Sequence, residues 1–122
     1  MPVVVANKSR FYGTVTPSAL NTETTVLEIG AQSDDYIVEG YIDVSNLQTG
    51  DTLEIREYIA VDGANYQLFL RTTLSDSVSE PVIRFHAKTL VFLMKYKVTI
   101  VQTSGTIRNF PYGFVLEVLG TA

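Results

Sequence analysis

The sequence predicts an all-β fold, a single β-sandwich or small β-barrel of about seven to eight mainly antiparallel strands. Three observations lead to this prediction. Apolar and polar residues alternate with a period of two along most of the chain after residue 23. Turn-forming residues interrupt the alternation at short intervals. No segment longer than about ten residues has the apolar spacing of an amphipathic helix.

Residues 1–22 are predicted to form an extended N-terminal arm, and residues 23–122 the sandwich or barrel domain. Pro2, Gly13, Pro17 and Asn21 interrupt the first segment, where only VVVA and RFY could anchor the chain. Seven strands are predicted after it: 24–30, 36–44, 52–61, 66–74, 82–90, 95–103 and 112–119. The pair Asp62-Gly63 predicts a tight hairpin between the third and fourth of these strands.

Composition limits the classes of function. The chain has 122 residues, 46% hydrophobic and 18% charged, which indicates one globular domain and not a disordered chain. It contains no cysteine, which excludes a disulfide framework, a thiol nucleophile and a cysteine-ligated metal. The longest apolar run, LVFLM, is far shorter than the ~20 residues of a membrane span. We therefore expect a soluble protein made in the cytoplasm, without a membrane partner.

Charge is unevenly distributed along the chain. Residues 23–62 hold ten acids and one base, a balance of −9, whereas residues 71–108 hold six bases and two acids, a balance of +4. This pattern indicates either contacts between copies of the chain or pairing of opposite charges on neighbouring strands of one molecule. The basic residues are few and scattered, which argues against nucleic-acid binding.

The candidates for catalysis and metal binding are weak. Glu54 and Glu57 are three residues apart on a strand, so they face opposite sides and cannot form a local acid–base pair. His86, the one histidine, shares a strand face with basic residues, and no G-x-S-x-G motif is present. Asp34-Asp35 lacks the spacing of a calcium loop. We expect no enzyme activity, no cofactor and no metal.

Aromatic residues indicate an interaction surface. Phe11-Tyr12 lie in the predicted arm, and the chain has seven tyrosines, which are favoured at interfaces. An alternative for Phe11 is that it covers one end of its own sandwich. The candidate interface residues combine such aromatics with nearby basic residues: Lys8, Arg10, Phe11, Tyr12, Arg56, Tyr58, Phe110 and Tyr112.

The run YIDVSNLQTGDTLEIREYIAVDGANYQLFL, followed by EPVIRFHAK, KYKVTIVQTSGTIR and FPYGFVLEVL, resembles small β proteins of tailed-bacteriophage and prophage gene clusters. The resemblance covers about residues 25–119. It implies a capsid decoration (cement) protein on the virion surface, with no catalytic residues. It also implies self-association, a trimer in many such proteins, and the major capsid protein as partner.

Two other functions remain open. A tail or fibre module, or a subunit of an extracellular filament, fits the same features. A small carbohydrate-binding module belongs to a different class. It would usually present exposed tryptophan or a platform of tyrosines, and this chain has no tryptophan.

Overall fold

A computed structural model describes residues 2–121, which contain eight β-strands and no helix. The strands are β1 (Val3–Val15), β2 (Thr24–Ile29), β3 (Tyr36–Asp43), β4 (Thr52–Ala60), β5 (Gln67–Ser75), β6 (Val82–Leu90), β7 (Lys95–Ser104) and β8 (Phe110–Thr121). None of the described residues forms a helix long and apolar enough to cross a membrane.

The strands form two four-stranded sheets in which every pairing is antiparallel. The first sheet has the order β1-β8-β3-β6 and the second the order β2-β7-β4-β5. Every connection crosses between the sheets except the β4–β5 hairpin. Two packed sheets with this order form an eight-stranded jelly roll. The predicted all-β class is confirmed, and of its two forms the sandwich is the one observed.

The N-terminal arm predicted for residues 1–22 is not confirmed. Strand β1 pairs with β8 along its whole length, from Val3 opposite Thr121 to Val15 opposite Phe110. The sequence pattern did not indicate this strand because β1 lies at the edge of its sheet and exposes most of its side chains on both faces. Without a buried face, a strand needs no alternation of apolar and polar residues.

The core lies between the two sheets and follows the predicted alternation. On β3, Val38, Gly40 and Ile42 point inward and are buried. Gly40 packs so closely on β8 that an added Cβ would overlap the carbonyl oxygen of Gly113 and the ring of Phe114. That ring lies 5.0 Å from the ring of Phe85 on β6. The close approach explains a glycine in the middle of a strand.

The predicted β4–β5 hairpin is confirmed. The Oδ1 atom of Asp62 accepts hydrogen bonds from the backbone N–H groups of Ala64 and Asn65, both at 2.8 Å. Gly63 adopts a φ of 78°, a left-handed conformation that favours glycine. An added Cβ there would lie 2.9 Å from the carbonyl oxygen of Leu93, so the hairpin turn also packs against the β6–β7 turn.

Candidate functional site

Each sheet ends in two strands that are paired on one side only. The first sheet ends in β1 and β6, and the second ends in β2 and β5. Strands β5 and β6 lie on the same side of the sandwich, because Phe69 and Leu70 line one depression together with His86, Ala87 and Lys88. Strand β1, at the other end of the first sheet, is therefore on the opposite side. Open edges present free N–H and C=O groups to any further strand.

Strand β5 is an apolar edge. Leu68, Phe69 and Leu70 are 47–54% exposed, in a strand that buries none of its nine residues. A bulge in the β4–β5 pairing sets Leu70 opposite Glu57 and Leu68 opposite Tyr58. No residue of β4 therefore lies opposite Phe69. Bulges commonly redirect side chains at sheet edges. Three consecutive large apolar side chains are therefore in contact with solvent at this edge.

An open apolar groove of about 300 Å³ lies beside this edge. Its walls come from both strands of the hairpin and from the β6–β7 turn, and they include Ile59, Val61, Leu68, Phe69, Leu90 and Met94. We call Val61, Leu68, Phe69 and Leu70 the β5 patch. All four side chains are exposed. Soluble monomers rarely leave such contiguous apolar surface uncovered.

Strand β1 carries a second apolar edge on the opposite side. Val3, Val4 and Val5 are consecutive and 39–68% exposed. Farther along the strand, Lys8 and Arg10 are exposed opposite Glu117 and Val115 of β8. We call Val3–Val5 the β1 patch. Both patches consist of exposed apolar side chains, and they lie on opposite sides of the molecule.

The aromatic candidates of β1 and β8 have separate environments. Phe11 is half-buried against the core, which agrees with the alternative that it covers its own sandwich. Tyr12 is exposed. Tyr112 lies opposite Gly13 and packs partly on the core. Phe110 is fully buried, so its ring offers no surface to a partner.

Arg56 and Tyr58 lie on the other sheet, on its solvent face, within a closed network around Glu23. The Glu23 carboxylate accepts hydrogen bonds from Tyr58 at 2.6 Å, Thr99 at 2.5 Å and Arg56 at 3.2 Å. Partial burial alone would raise the pKa of Glu23, but the hydrogen bonds from Thr99 and Tyr58 and the charge of Arg56 outweigh it and lower that pKa. These groups satisfy each other within the molecule.

The Lys97 side chain lies over two tyrosine rings on the solvent face of the same sheet. The Nζ atom of Lys97 lies 5.1 Å from the ring centroid of Tyr58 and 4.5 Å from that of Tyr66. The Tyr66 hydroxyl donates to Glu28 at 3.1 Å. Because Lys97 covers these rings, they do not form the free flat platform on which a sugar ring would stack.

Glu57 has the opposite environment from Glu54, as the strand alternation predicted. Glu54 lies on the solvent face, where its carboxylate accepts a 2.8 Å bond from Arg56. Glu57 points between the sheets and is 4% exposed. Its Oε1 atom accepts a 2.6 Å bond from Tyr96 and lies 3.3 Å from the Nζ atom of Lys88 on β6. This basic partner links the two sheets, so the buried charge is paired.

The remaining candidates show no converging chemistry. His86 is exposed on β6. Asp34 and Asp35 lie in the β2–β3 loop, where Asp35 accepts a 3.0 Å bond from the backbone N–H of Phe92. Among residues 2–121, no group of three or more histidine, cysteine, aspartate or glutamate side chains could hold a metal ion.

The sequence analysis named VVVA as a possible anchor of the N-terminal segment, but it placed neither apolar patch among the candidate interface residues. A signal existed for each, because VVV and LFL are uninterrupted apolar runs beside alternating strands. Strand alternation leaves one face polar when only the other is buried. A run of three large apolar residues in a strand therefore indicates either burial on both faces or an exposed apolar edge.

Comparison with solved structures finds the same class of fold in chains of other proteins. A chain from the disulfide-linked pili of Bacillus endospore appendages matches with a TM-score of 0.55 and 15% identity, over 95% of this chain and 88% of that one. A chain from infectious bursal disease virus, Gx strain, matches with a TM-score of 0.55 and 9% identity. The VP2 subviral particle of the same virus matches with a TM-score of 0.52 and 8% identity.

These likenesses define the class of fold. This chain spans about a third of the length of the two viral chains, 31% and 32%, while 96% and 92% of its own length is covered. The chain matches no protein-family model and no curated protein sequence. The protein is a jelly-roll β-sandwich, a fold that it has in common with a pilus chain and with chains of infectious bursal disease virus.

Proposed function

We propose that this protein is a non-enzymatic structural subunit whose copies associate, through their open strand edges, into an extracellular or virion assembly. The observation that carries the proposal is the pair of exposed apolar patches on opposite sides of one sandwich. When two different surfaces of one chain join, each added copy presents a free surface for the next. Such contacts build rings or open polymers.

The pilus likeness supports a filament as the form of the assembly. It extends over most of both chains, which neither viral likeness does. The matched pili are disulfide-linked, whereas these 122 residues contain no cysteine. No disulfide can join copies through these residues, and exposed apolar edges are suited to hold copies together by non-covalent contacts.

A capsid decoration protein of a tailed phage is the second candidate, and the resemblance of residues 25–119 to phage β proteins favours it. In that case the major capsid protein would cover part of the exposed surface, and the copies would close into a small ring such as a trimer. The polar faces of the sandwich would then point outward from the shell.

The state of the purified protein tests the proposal. We expect its mass, measured by light scattering after size exclusion, to rise with concentration, and negative-stain images to show filaments or rings. Open filaments support the first candidate, and a uniform trimer supports the second. A monomer at every concentration up to about 1 mM, a value set by the weak end of useful affinities, would contradict self-association.

A further inference from the structure

The β5 edge has the properties of a site for one more strand. On one side β5 pairs with β4, and on the other its backbone is open. Leu68, Phe69 and Leu70 add apolar contact area next to the groove between the hairpin and the β6–β7 turn. An added strand gains affinity from main-chain hydrogen bonds and specificity from the side chains that enter such grooves.

The β1 patch has the matching properties. Strand β1 pairs with β8 on one side and is open on the other. Residues 3–7 carry no charge, and Val3, Val4 and Val5 are exposed. Gln67, Leu68, Phe69 and Leu70 are also uncharged. Two short, uncharged, apolar edges can therefore meet without desolvating a charge, which would be costly.

Charges on either side of the patches select the direction of pairing. Strands advance about 3.3 Å per residue, so Lys8 and Arg10 lie roughly 13 Å and 20 Å beyond Val4. With Val4 opposite Phe69, an antiparallel strand carries both cations toward the hairpin turn and Asp62. A parallel strand carries them past Arg71, which is 59% exposed and lies 3.7 Å from Glu54, and on toward Asp76 just after the end of β5. Both directions therefore end near a carboxylate, but only the antiparallel one reaches it without passing a like charge.

The Asp62 carboxylate is suited to receive these cations. Asp62 is charged at neutral pH, as exposed aspartates are, and backbone hydrogen bonds from Asn65 and Ala64 lower its pKa to about 2, so it stays charged in mild acid. These bonds also fix its position at the tip of the hairpin. Charge pairs of this exposed kind contribute mainly to register and direction of binding.

We propose that residues Val3–Val5 of one copy add as an antiparallel strand to the β5 edge of the next copy, with Val4 opposite Phe69. This inference rests on the proposed self-association and specifies its surfaces. The contact is head to tail, because the two surfaces are different and lie on opposite sides of the molecule. Each copy thus uses its β1 patch once and its β5 patch once.

The main competitor is a symmetric contact in which the β5 edges of two copies pair with each other. Such a contact closes after two copies and leaves the β1 patch exposed. The head-to-tail contact covers both patches. The two arrangements also differ in which single substitutions abolish association, and this difference provides the test.

Two lysine variants test the inference, because lysine on an edge strand opposes strand addition. Val4→Lys removes the β1 patch but leaves the β5 patch intact, and Phe69→Lys does the reverse. We expect each variant alone to be monomeric by light scattering after size exclusion. An equimolar mixture should form a 1:1 heterodimer that does not grow further. Tyr41→Lys, on an exposed site of central strand β3, is the control and should assemble like the wild type.

Each outcome distinguishes this inference from the function on which it rests. If Val4→Lys still dimerises by itself and the mixture forms no heterodimer, the contact is symmetric and the inference is wrong, although self-association stands. If both variants assemble like the wild type, other surfaces join the copies and the inference is again wrong. If the wild type is monomeric, the proposed function itself fails. Circular dichroism of each variant confirms that the all-β fold is retained.

Discussion

Replacing Asp51 with alanine is expected to lower the free energy of unfolding by about 3–5 kcal/mol, the usual cost of removing one partner of a buried ion pair. Asp51 is 1% exposed. Its carboxylate accepts a 2.8 Å bond from Arg108 and bonds from the backbone N–H groups of Gln48 at 2.9 Å and Thr106 at 3.0 Å. Alanine leaves these three donors without their acceptor.

Urea unfolding of Asp51→Ala measures this effect. Asp34→Ala, at an exposed aspartate in the β2–β3 loop, is the matched control and should change stability by less than about 0.5 kcal/mol. An equal, small loss in both variants would show that the Asp51 cluster does not hold the β3–β4 and β7–β8 loops together.

Asp51 should also make the stability of the protein depend on pH in the acid range. The hydrogen bond from Arg108, together with those from the backbone of Gln48 and Thr106, outweighs burial and lowers the pKa of Asp51. A carboxyl with a lowered folded-state pKa contributes stability above its unfolded pKa of about 4, and loses it as the pH falls through the folded value. We expect Asp51→Asn to show a smaller loss of stability than the wild type between neutral and acidic pH.

Replacing Lys88 with alanine is expected to cost about 3–5 kcal/mol as well, because it leaves the Glu57 carboxylate buried without its cation. Lys88 reaches Glu57 from the opposite sheet at 3.3 Å and lies 4.9 Å from the ring centroid of Tyr96. Burial and then the Glu57 charge raise the pKa of Tyr96, so its hydroxyl remains a donor and cannot replace the lost positive charge.

A triple variant separates the cost of an unpaired charge from the value of the pair. In Glu57→Leu/Lys88→Met/Tyr96→Phe all three polar groups are replaced together, so no buried group is left unpaired. Replacing a buried ion pair by apolar residues is often neutral or stabilising. We expect the triple variant to be more stable in urea than Lys88→Ala. A triple variant that is less stable than Lys88→Ala would show that the pair itself contributes large net stability.

Sequence reasoning was most successful where one strand face is buried. The bounds of β2 to β8 agree with the predicted strands to within about two residues, the usual uncertainty of strand ends. The hairpin at Asp62-Gly63 was found because only a few residue types allow such a turn. Placing Glu54 and Glu57 on opposite faces needed only the alternation of side chains along a strand.

The prediction failed where contacts between strands distant in sequence decide the structure. Strand β1 is held by β8, and this pairing joins residues at opposite ends of the chain. The exposed LFL run lies on β5, an edge strand that buries none of its residues and has a bulge in its pairing with β4, and alternation predicts neither feature. Phe110 looked like an interface aromatic but is a core residue, because it lies on the same inward face of β8 as Phe114 and Leu116, whereas its neighbour Pro111 is exposed.

The candidate site was predicted only in part. Lys8 and Arg10 are exposed on the open edge of β1 as an interface role requires, and their contact with another copy is still a prediction. Arg56 and Tyr58 serve a network within their own sheet. The acidic and basic halves of the chain pair at least partly within one molecule, as the Glu57–Lys88 and Asp51–Arg108 contacts show.

Disulfide trapping tests most directly whether the β1 edge of one copy joins the β5 edge of the next. The chain contains no cysteine, so a variant with Val3→Cys and Leu70→Cys carries only the two thiols introduced. Antiparallel pairing of Val4 with Phe69 sets these two positions opposite each other, within the distance that a disulfide spans. Parallel pairing would instead set Val3 opposite Leu68.

Mild oxidation of the assembled Val3→Cys/Leu70→Cys variant should give a ladder of dimers, trimers and longer chains on a non-reducing gel, and reduction should collapse it to monomer. Either single cysteine variant should give at most a dimer. The Val3→Cys/Leu68→Cys variant should give little ladder. A ladder only from Val3→Cys/Leu68→Cys, or none from either double variant while the protein still assembles, would contradict antiparallel addition of β1 to β5.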